Sequence, residues 1–408
     1  MKRVVVTGMA GLSPIGLDWP TISSNLKALK TGIRYMDDWN IYEGLNTRLG
    51  APVADFVKPS HYSRKSVRSM GRIALLATRA TELALDDAGL LDDESIKDGR
   101  MGVSYGSSSG SPLAIAEFGK MLIQHTTDGL NANSYIKMMG HTAPVNIGVF
   151  FGLKGRIYTT SSACTSGSQG IGYAYEAIGF GRQQMMVAGG AEELSPTQAA
   201  VFDTLYATST QNDQPQKTPN PFDIQRDGLV IGEGAGTLIL EELESAQARG
   251  ATIHAEIVGF GSNTDGTHVT QPQFATMQAA MQAALDDAGL PAAAIDYISA
   301  HGTATDRGDI AESIATHNIF GEQTPISALK SFTGHTLGAC GALEAWTSIQ
   351  MMKEGWVHAT ANLQNVDPAC ADLDYVQAEP RSIDSEYVMS NNFAFGGINT
   401  SLIFKRWP

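Results

Sequence analysis

The heptapeptide Ala84-Leu85-Asp86-Asp87-Ala88-Gly89-Leu90 recurs letter for letter as Ala284-Leu285-Asp286-Asp287-Ala288-Gly289-Leu290. Each copy ends an Ala-rich helical stretch, 72–88 and 275–288, with Gly89 and Gly289 placed as C-terminal caps. Each is followed by a short apolar strand, 101–105 and 297–300, that runs into a Gly/Ser/Thr-rich loop. One repeated heptapeptide is weak by itself. A second pair strengthens it: 227–240 and 391–404 both lead from a Gly-rich turn into an apolar strand. A third, looser pair joins 161–178 to 330–349, small-residue loops feeding Gly/Ala-rich helices. Three echoes in one order predict two related halves, 1–250 and 251–408, sharing one compact body.

Strand–helix alternation within each half predicts an α/β protein with largely parallel, buried strands. Short β-branched runs mark strands at 4–7, 185–188, 237–240, 253–258 and 402–404. Small-residue helices at 167–179 and 338–352 permit close packing at the molecular centre, and 206–226 reads as one long loop. With 43% hydrophobic and 17% charged residues, the chain is not intrinsically disordered. A net charge of −14 argues against nucleic-acid binding, which needs a broadly basic surface. No apolar run approaches the ~18 residues of a membrane span, and 1–6 is far short of a secretory signal. Cys164, Cys340 and Cys370 form neither a disulfide framework nor a zinc spacing. The expectation is a cytoplasmic protein with reduced thiols.

Two Gly-rich turns, 4–16 and 232–236, lack the strand–turn–helix setting that a phosphate cradle needs. Gly106-Ser-Ser-Ser-Gly110 fits the G-x-S-x-G elbow, so a serine hydrolase using Ser108 is one alternative. Cys164 lies between an apolar strand and a helix beginning near Thr165. The positive helix end and its free amides can stabilise a thiolate or an oxyanion there. A buried packing cysteine is an equally good reading from position alone. Cys340 and Cys370 read as packing residues. His301 and His335 both sit in strand-end loops, and neutral imidazoles could donate to a carbonyl oxygen that turns negative. The echo aligns the loop 330–338 with the Cys164 loop, so the two should meet near the pseudo-twofold centre. Lys58, Arg64, Lys65, Arg68, Arg72 and Arg79 follow one another without an intervening acid, ordinarily the mark of a solvated helix face.

In this order the motifs resemble the β-ketoacyl-acyl-carrier-protein synthases, the elongating condensing enzymes of the synthase I/II type, over essentially the whole chain. Ser162-Ala-Cys-Thr-Ser-Gly167 matches the nucleophile motif, and His301-Gly-Thr-Ala-Thr305 the first histidine motif. Lys330-Ser-Phe-Thr-Gly-His335 matches the lysine and second-histidine motif, and Asn392-Phe-Ala-Phe-Gly-Gly397 the gating loop. The resemblance implies a thiolase-like α/β fold of two pseudo-twofold-related halves in five layers, αβαβα. It implies that Cys164 carries an acyl chain and that the amides of Cys164 and Phe395 form the oxyanion hole. His301 and His335 would assist malonyl decarboxylation, Lys330 would order the site, and Asp309 and Glu312 would support that lysine and its loop. No cofactor and no catalytic metal are implied.

The implied partners are acyl- and malonyl-loaded carrier protein, docking on Arg64, Lys65 and Arg68. The other implied partner is a second copy or a chain-length-factor-like paralogue. A non-catalytic subunit of that kind is the second alternative, and Cys164, His301 and His335 argue against it. Departures from the family pattern are Asp306-Arg307, Cys340, Ala394 in the gate beside Phe393, Ile398, and Ser109 at a position that often sets acyl-pocket depth through the dimer partner. They raise a specialised pathway, such as aryl polyene or other polyketide assembly, beside fatty-acid synthesis.

Overall fold

The computed structural model describes all 408 residues. Eleven strands form one hydrogen-bonded sheet. In chain order they are β1 (Val4–Leu12), β2 (Met101–Gly106), β3 (Ile157–Thr159), β4 (Met185–Glu192), β5 (Gly234–Glu242) and β6 (Ala255–Thr264). They continue with β7 (Tyr297–Ser299), β8 (Pro325–Ser327), β9 (Asp374–Tyr375), β10 (Tyr387–Phe393) and β11 (Ile398–Arg406). The spatial order is β9-β8-β7-β10-β11-β6-β1-β5-β4-β2-β3. Numbered within its own group of five, each set follows the order third, second, fourth, fifth, first, with β9 added at one edge. The two first strands, β1 and β6, meet antiparallel at the centre through Val4–Val6 and Ala255–Ile257. Equivalent strands meeting across a twofold perpendicular to the sheet must run in opposite directions.

The sheet is mixed rather than largely parallel. β2, β3 and β4 are parallel to each other, while β5 is antiparallel to both β4 and β1; the second group repeats this pattern. Burial on both faces gives antiparallel strands here the same unbroken apolar runs that ordinarily mark parallel ones. The strands also run past their β-branched segments. β1 continues through Gly8 and Gly11 to Leu12, and β5 begins at Gly234, because helices press on those glycines.

Six helices set the layers: α1 (Arg72–Asp87), α2 (Pro112–Gln124), α3 (Ser166–Gly179), α4 (Phe274–Ala288), α5 (Asp306–Phe320) and α6 (Cys340–Glu354). α3 and α6 touch strands of both groups and lie between them; α1 covers the first group and α4 the second. With the sheet folded around α3 and α6, the sequence of layers is αβαβα. The segment 206–226 holds only one short 3-10 turn, at Pro215–Lys217. No helix is long and apolar enough to cross a membrane.

The repeated heptapeptide has a structural reason. Both helices end in the same reverse turn: Leu90 N–H donates to Leu85 carbonyl at 2.8 Å, and Leu290 N–H to Leu285 carbonyl at 3.0 Å. Gly89 and Gly289 supply the required left-handed backbone at φ +67° and +66°. One turn earlier, the helices press on β1 and β6. A Cβ on Gly8 would stand 2.2 Å from the Ala84 carbonyl oxygen, and one on Gly259 2.3 Å from that of Ala284. Each strand carries a register shift at that point. The second aspartate of each heptapeptide binds the amide just beyond it, Asp87 taking Met9 N–H at 2.9 Å and Asp287 taking Phe260 N–H at 3.0 Å. Asp87 also meets His254 Nε2 at 2.9 Å, and Asp287 accepts from Tyr175 Oη at 3.1 Å.

Removing either carboxylate strands a strand amide under a helix end. Asp87→Ala and Asp287→Ala should each lower stability by about 1–3 kcal/mol. The two costs should add, since the sites share no partner. Urea unfolding of the two single variants and the double variant measures this, and unchanged midpoints would refute it.

Candidate active site

The site forms where the N-termini of α3 and α6 converge. A Cβ at Gly167 would lie 2.9 Å from Ala342 N, and one at Gly341 2.8 Å from Ser168 N, so only glycine allows this approach. Each helix is preceded by a 3-10 turn, Ala163–Thr165 and Leu337–Ala339. Each turn opens on a left-handed residue that is not glycine, Ala163 at φ +52° and Leu337 at φ +44°. Such strain, of order 1–3 kcal/mol per residue, persists only where the surroundings fix it. It presents Cys164 at the head of α3 and turns the His335 loop towards it.

Cys164 is buried, and its Sγ lies 3.0 Å from His335 Nε2. The amides of Phe395 and of Cys164 itself face the sulfur. Burial is the larger influence and pushes the thiol up to about 11, against the pull of those amides and of Lys330. The helix terminus therefore does not make a resting thiolate here.

Both histidines are buried, with rings 5.2 Å apart at 85°. Burial first, and Lys330 after it, hold both well below the usual histidine range, so they are neutral at pH 7. Their tautomers follow from their neighbours. Leu337 N–H donates to His335 Nδ1 at 3.3 Å, and Lys330 Nζ, a donor only, lies 3.1 Å from His301 Nδ1. Both rings must then carry their proton on Nε2, which on His335 is the atom facing Cys164. The ligand atoms of Cys164, His301 and His335 lie within 4.8 Å of one another, a spacing that could hold a metal. Metal-binding histidines donate from their outer nitrogen to an acceptor. Here both outer nitrogens face donors, so the surroundings favour hydrogen-bond donation towards Cys164 over coordination.

Lys330 is 1% exposed, and its ammonium donates to Glu344 Oε1 at 2.5 Å. The other Glu344 oxygen accepts from Asn392 Nδ2 at 2.6 Å. Glu312 takes the amides of His301 and Gly302, each at 2.7 Å, and burial pushes its carboxyl up to about 8. Asp309 takes the amides of Phe222, Thr303 and Ala304 at 2.8–3.2 Å, and burial raises it to about 6. Both acids hydrogen-bond the loop 301–304, whereas the ion-pair partner of Lys330 is Glu344. Glu344 was missed, although a lone acid in the apolar run Cys340–Trp346 is a visible signal. Cys340 is more than packing: its thiol donates to the Cys164 carbonyl at 3.2 Å.

The gating segment lies over these groups. Phe393 packs 6.1 Å from the His301 ring, and Phe395 5.2 Å from Phe202. Ala394 N–H donates to the Ile398 carbonyl at 2.7 Å, closing the turn, and Gly396 N–H donates to Val269 carbonyl at 2.9 Å. A cavity of about 520 Å3 is lined by Cys164, both histidines, Phe393, Ala394 and Phe395. Ser109 does not line it; it lies on the loop after β2, where its carbonyl accepts from Ser107 Oγ at 2.6 Å. Ser108 bonds Glu192 through its amide, at 2.9 Å, and through its side chain, in contrast to the histidine that a serine nucleophile's hydroxyl needs. Arg64, Lys65 and Arg68 are exposed in the turns before α1, not on a helix face, and have no ion-pair partner. Arg72 and Arg79 of the same basic run are bound to Glu233 and Glu82.

Residues 1–246 match the family model described as "Beta-ketoacyl synthase, N-terminal domain", and 254–364 the one described as "Beta-ketoacyl synthase, C-terminal domain". The 3-oxoacyl-[acyl-carrier-protein] synthase 2 of Vibrio harveyi is 38% identical over 99% of both chains. A crystal structure of a β-ketoacyl synthase from Burkholderia phymatum STM815 is 63% identical, with full coverage of both chains and a TM-score of 0.99. The ishigamide ketosynthase/chain length factor is 31% identical, with full coverage of both chains and a TM-score of 0.91.

A thiol held near 11 is protonated across the physiological range. Alkylation of Cys164 by iodoacetamide should therefore rise about tenfold per pH unit from 7 to 9. A rate that levels off by pH 8, read by mass spectrometry of the Cys164 peptide, would contradict this.

Proposed function

The chain belongs to the β-ketoacyl synthase family, and from that membership we propose how its residues divide the work of condensation. It is a condensing enzyme of the acyltransferase class. The observation that carries the residue assignment is one buried thiol, Cys164, with His335 Nε2 at 3.0 Å and the ligand atoms of both neutral imidazoles within 4.8 Å of it and of each other. Cys164 attacks an acyl-carrier-protein thioester, and its proton leaves with the freed carrier thiol. The amides of Cys164 and Phe395 hold the oxyanion of that step. Malonyl-carrier protein then loses CO2, and His301 and His335 donate to the enolate oxygen. The enolate carbon attacks the Cys164 thioester, giving a β-ketoacyl chain two carbons longer and expelling the Cys164 thiolate, which takes a proton from water. Lys330 fixes the His301 tautomer, Asp309 and Glu312 hold the His301 loop, and Phe393 with Ala394 gates the cavity. In this reading residues 1–250 supply the nucleophile, and 251–408 supply the histidines and the gate.

Incubation with acyl-carrier protein should place acyl mass on Cys164. No adduct would favour the non-catalytic partner, and an adduct on Ser108 the hydrolase. A panel of saturated and polyenoyl chains of matched length addresses the pathway. Ala394, a small residue in the gate, supports a conjugated-chain substrate, and equal or better turnover of saturated chains would count against it.

The acidic carrier docks on Arg64, Lys65 and Arg68, whose charges nothing else in the chain neutralises. Reversing all three to Glu should weaken carrier binding about tenfold or more at low salt, leaving Cys164 alkylation intact. Unchanged affinity would refute the docking surface. The second partner, a copy of this chain or a chain-length-factor-like paralogue, covers the outer edge of β3. In the same half of the chain, α2 buries only Ala114 and exposes Leu113, Leu122 and Ile123. A reducing cytoplasm, in which Cys164 stays a free thiol, suits this chemistry.

A further inference from the structure

We propose that Arg307 binds the phosphodiester of the carrier's phosphopantetheine arm at the mouth of the cavity above Cys164; this rests on the condensing-enzyme reading. Two arginines line that cavity, and they differ in what they already hold. Arg226 is buried and spent, with Asp306 at 3.3 Å, Asp309 at 3.6 Å and Asp367 at 2.7 Å. Arg307 is exposed and has no ion-pair or hydrogen-bond partner.

The acids on the same wall hydrogen-bond to groups other than Arg307. Asp306 is held by Arg226. Asp227 accepts from Thr210 N–H at 2.9 Å and from Gln211 Nε2 at 3.1 Å. Asp265 accepts from Asn399 Nδ2 at 2.8 Å and from Thr276 Oγ1, and Glu312 from the His301 and Gly302 amides. Nor does the helix explain the charge. Arg307 lies in the first turn of α5, where a cation meets the positive end of the helix dipole and is mildly unfavourable. A guanidinium on a cavity wall, left without an acid, matches an anion that arrives with the substrate, and its planar fork suits phosphate.

The position selects which anion. Cys164, His301 and His335 are buried on the cavity wall, so the malonyl carboxylate must lie beside them to be lost there. The arm has to thread the cavity with its thioester at Cys164, which leaves its phosphodiester towards the exposed mouth, where Arg307 stands.

Three acyl donors separate the possibilities: acyl-carrier protein, acyl-phosphopantetheine and acyl-pantetheine, the last without phosphate. With Arg307→Ala, KM for the first two should rise about 3- to 10-fold, the range for a solvent-exposed charge-assisted contact. KM for acyl-pantetheine should not move, and Arg307→Lys should recover part of the loss. A loss confined to acyl-carrier protein would overturn the assignment in favour of a protein–protein contact. An equal loss on all three, or none on any, would overturn it as well. If the wild-type enzyme turns over none of the three, the condensing reading fails. Titrating phosphopantetheine against pantetheine, with wild type and Arg307→Ala, then still decides the role of Arg307.

Discussion

An ammonium group almost fully removed from water has to be answered by its surroundings, and at Lys330 those answers organise the site. Glu344 neutralises it, Asn392 satisfies the remaining carboxylate oxygen, and His301 accepts from it. Desolvating such a pair costs several kcal/mol per ion, and only good geometry with further hydrogen bonds repays that. In return the charge has two local effects. It adds to burial, the larger influence, in keeping both imidazoles neutral, and it forces the His301 proton onto Nε2. Lys330 and Glu344 come from different elements, so one ion pair ties the His335 loop to α6 and, through Asn392, to β10.

Beyond the site, the two halves are held by recurring solutions to one packing problem. A helix must end close against a strand that carries a register shift. The same seven residues solve it twice, with an alanine carbonyl over a glycine, a left-handed glycine turn and an aspartate on the strand amide. The residues answering each aspartate differ, His254 on one side and Tyr175 on the other. The backbone problem is thus repeated, while the side chains around it are free to diverge.

Much of this was legible in the sequence. The three echoes fall on matching pieces of structure: α1 with α4, β5 with β11, and α3 with α6. The Cys164, His301 and His335 loops do meet. What could not be read followed from burial and pairing. Strand direction was misjudged because every strand near the centre is covered on both faces. The strands were drawn too short because glycines such as Gly8 and Gly234 carry no β-propensity, though contacts hold them in the sheet. The environment of Cys164 was misweighed because a helix terminus is visible in sequence and desolvation is not. Glu344 escaped notice and Cys340 read as mere packing because their importance lies in what they touch across the molecule.

The outer edge of β3 has a consequence for how this chain exists in solution. It is the terminal strand of the sheet, with Ile157 exposed, and apolar side chains of α2 also stand open. Unpaired backbone beside an exposed aliphatic side chain is a template for strand addition, which the three-residue length of β3 limits but does not remove. A solitary chain would carry that hazard throughout its life. Under the pairing proposed at this edge, covering it protects solubility as much as it serves activity.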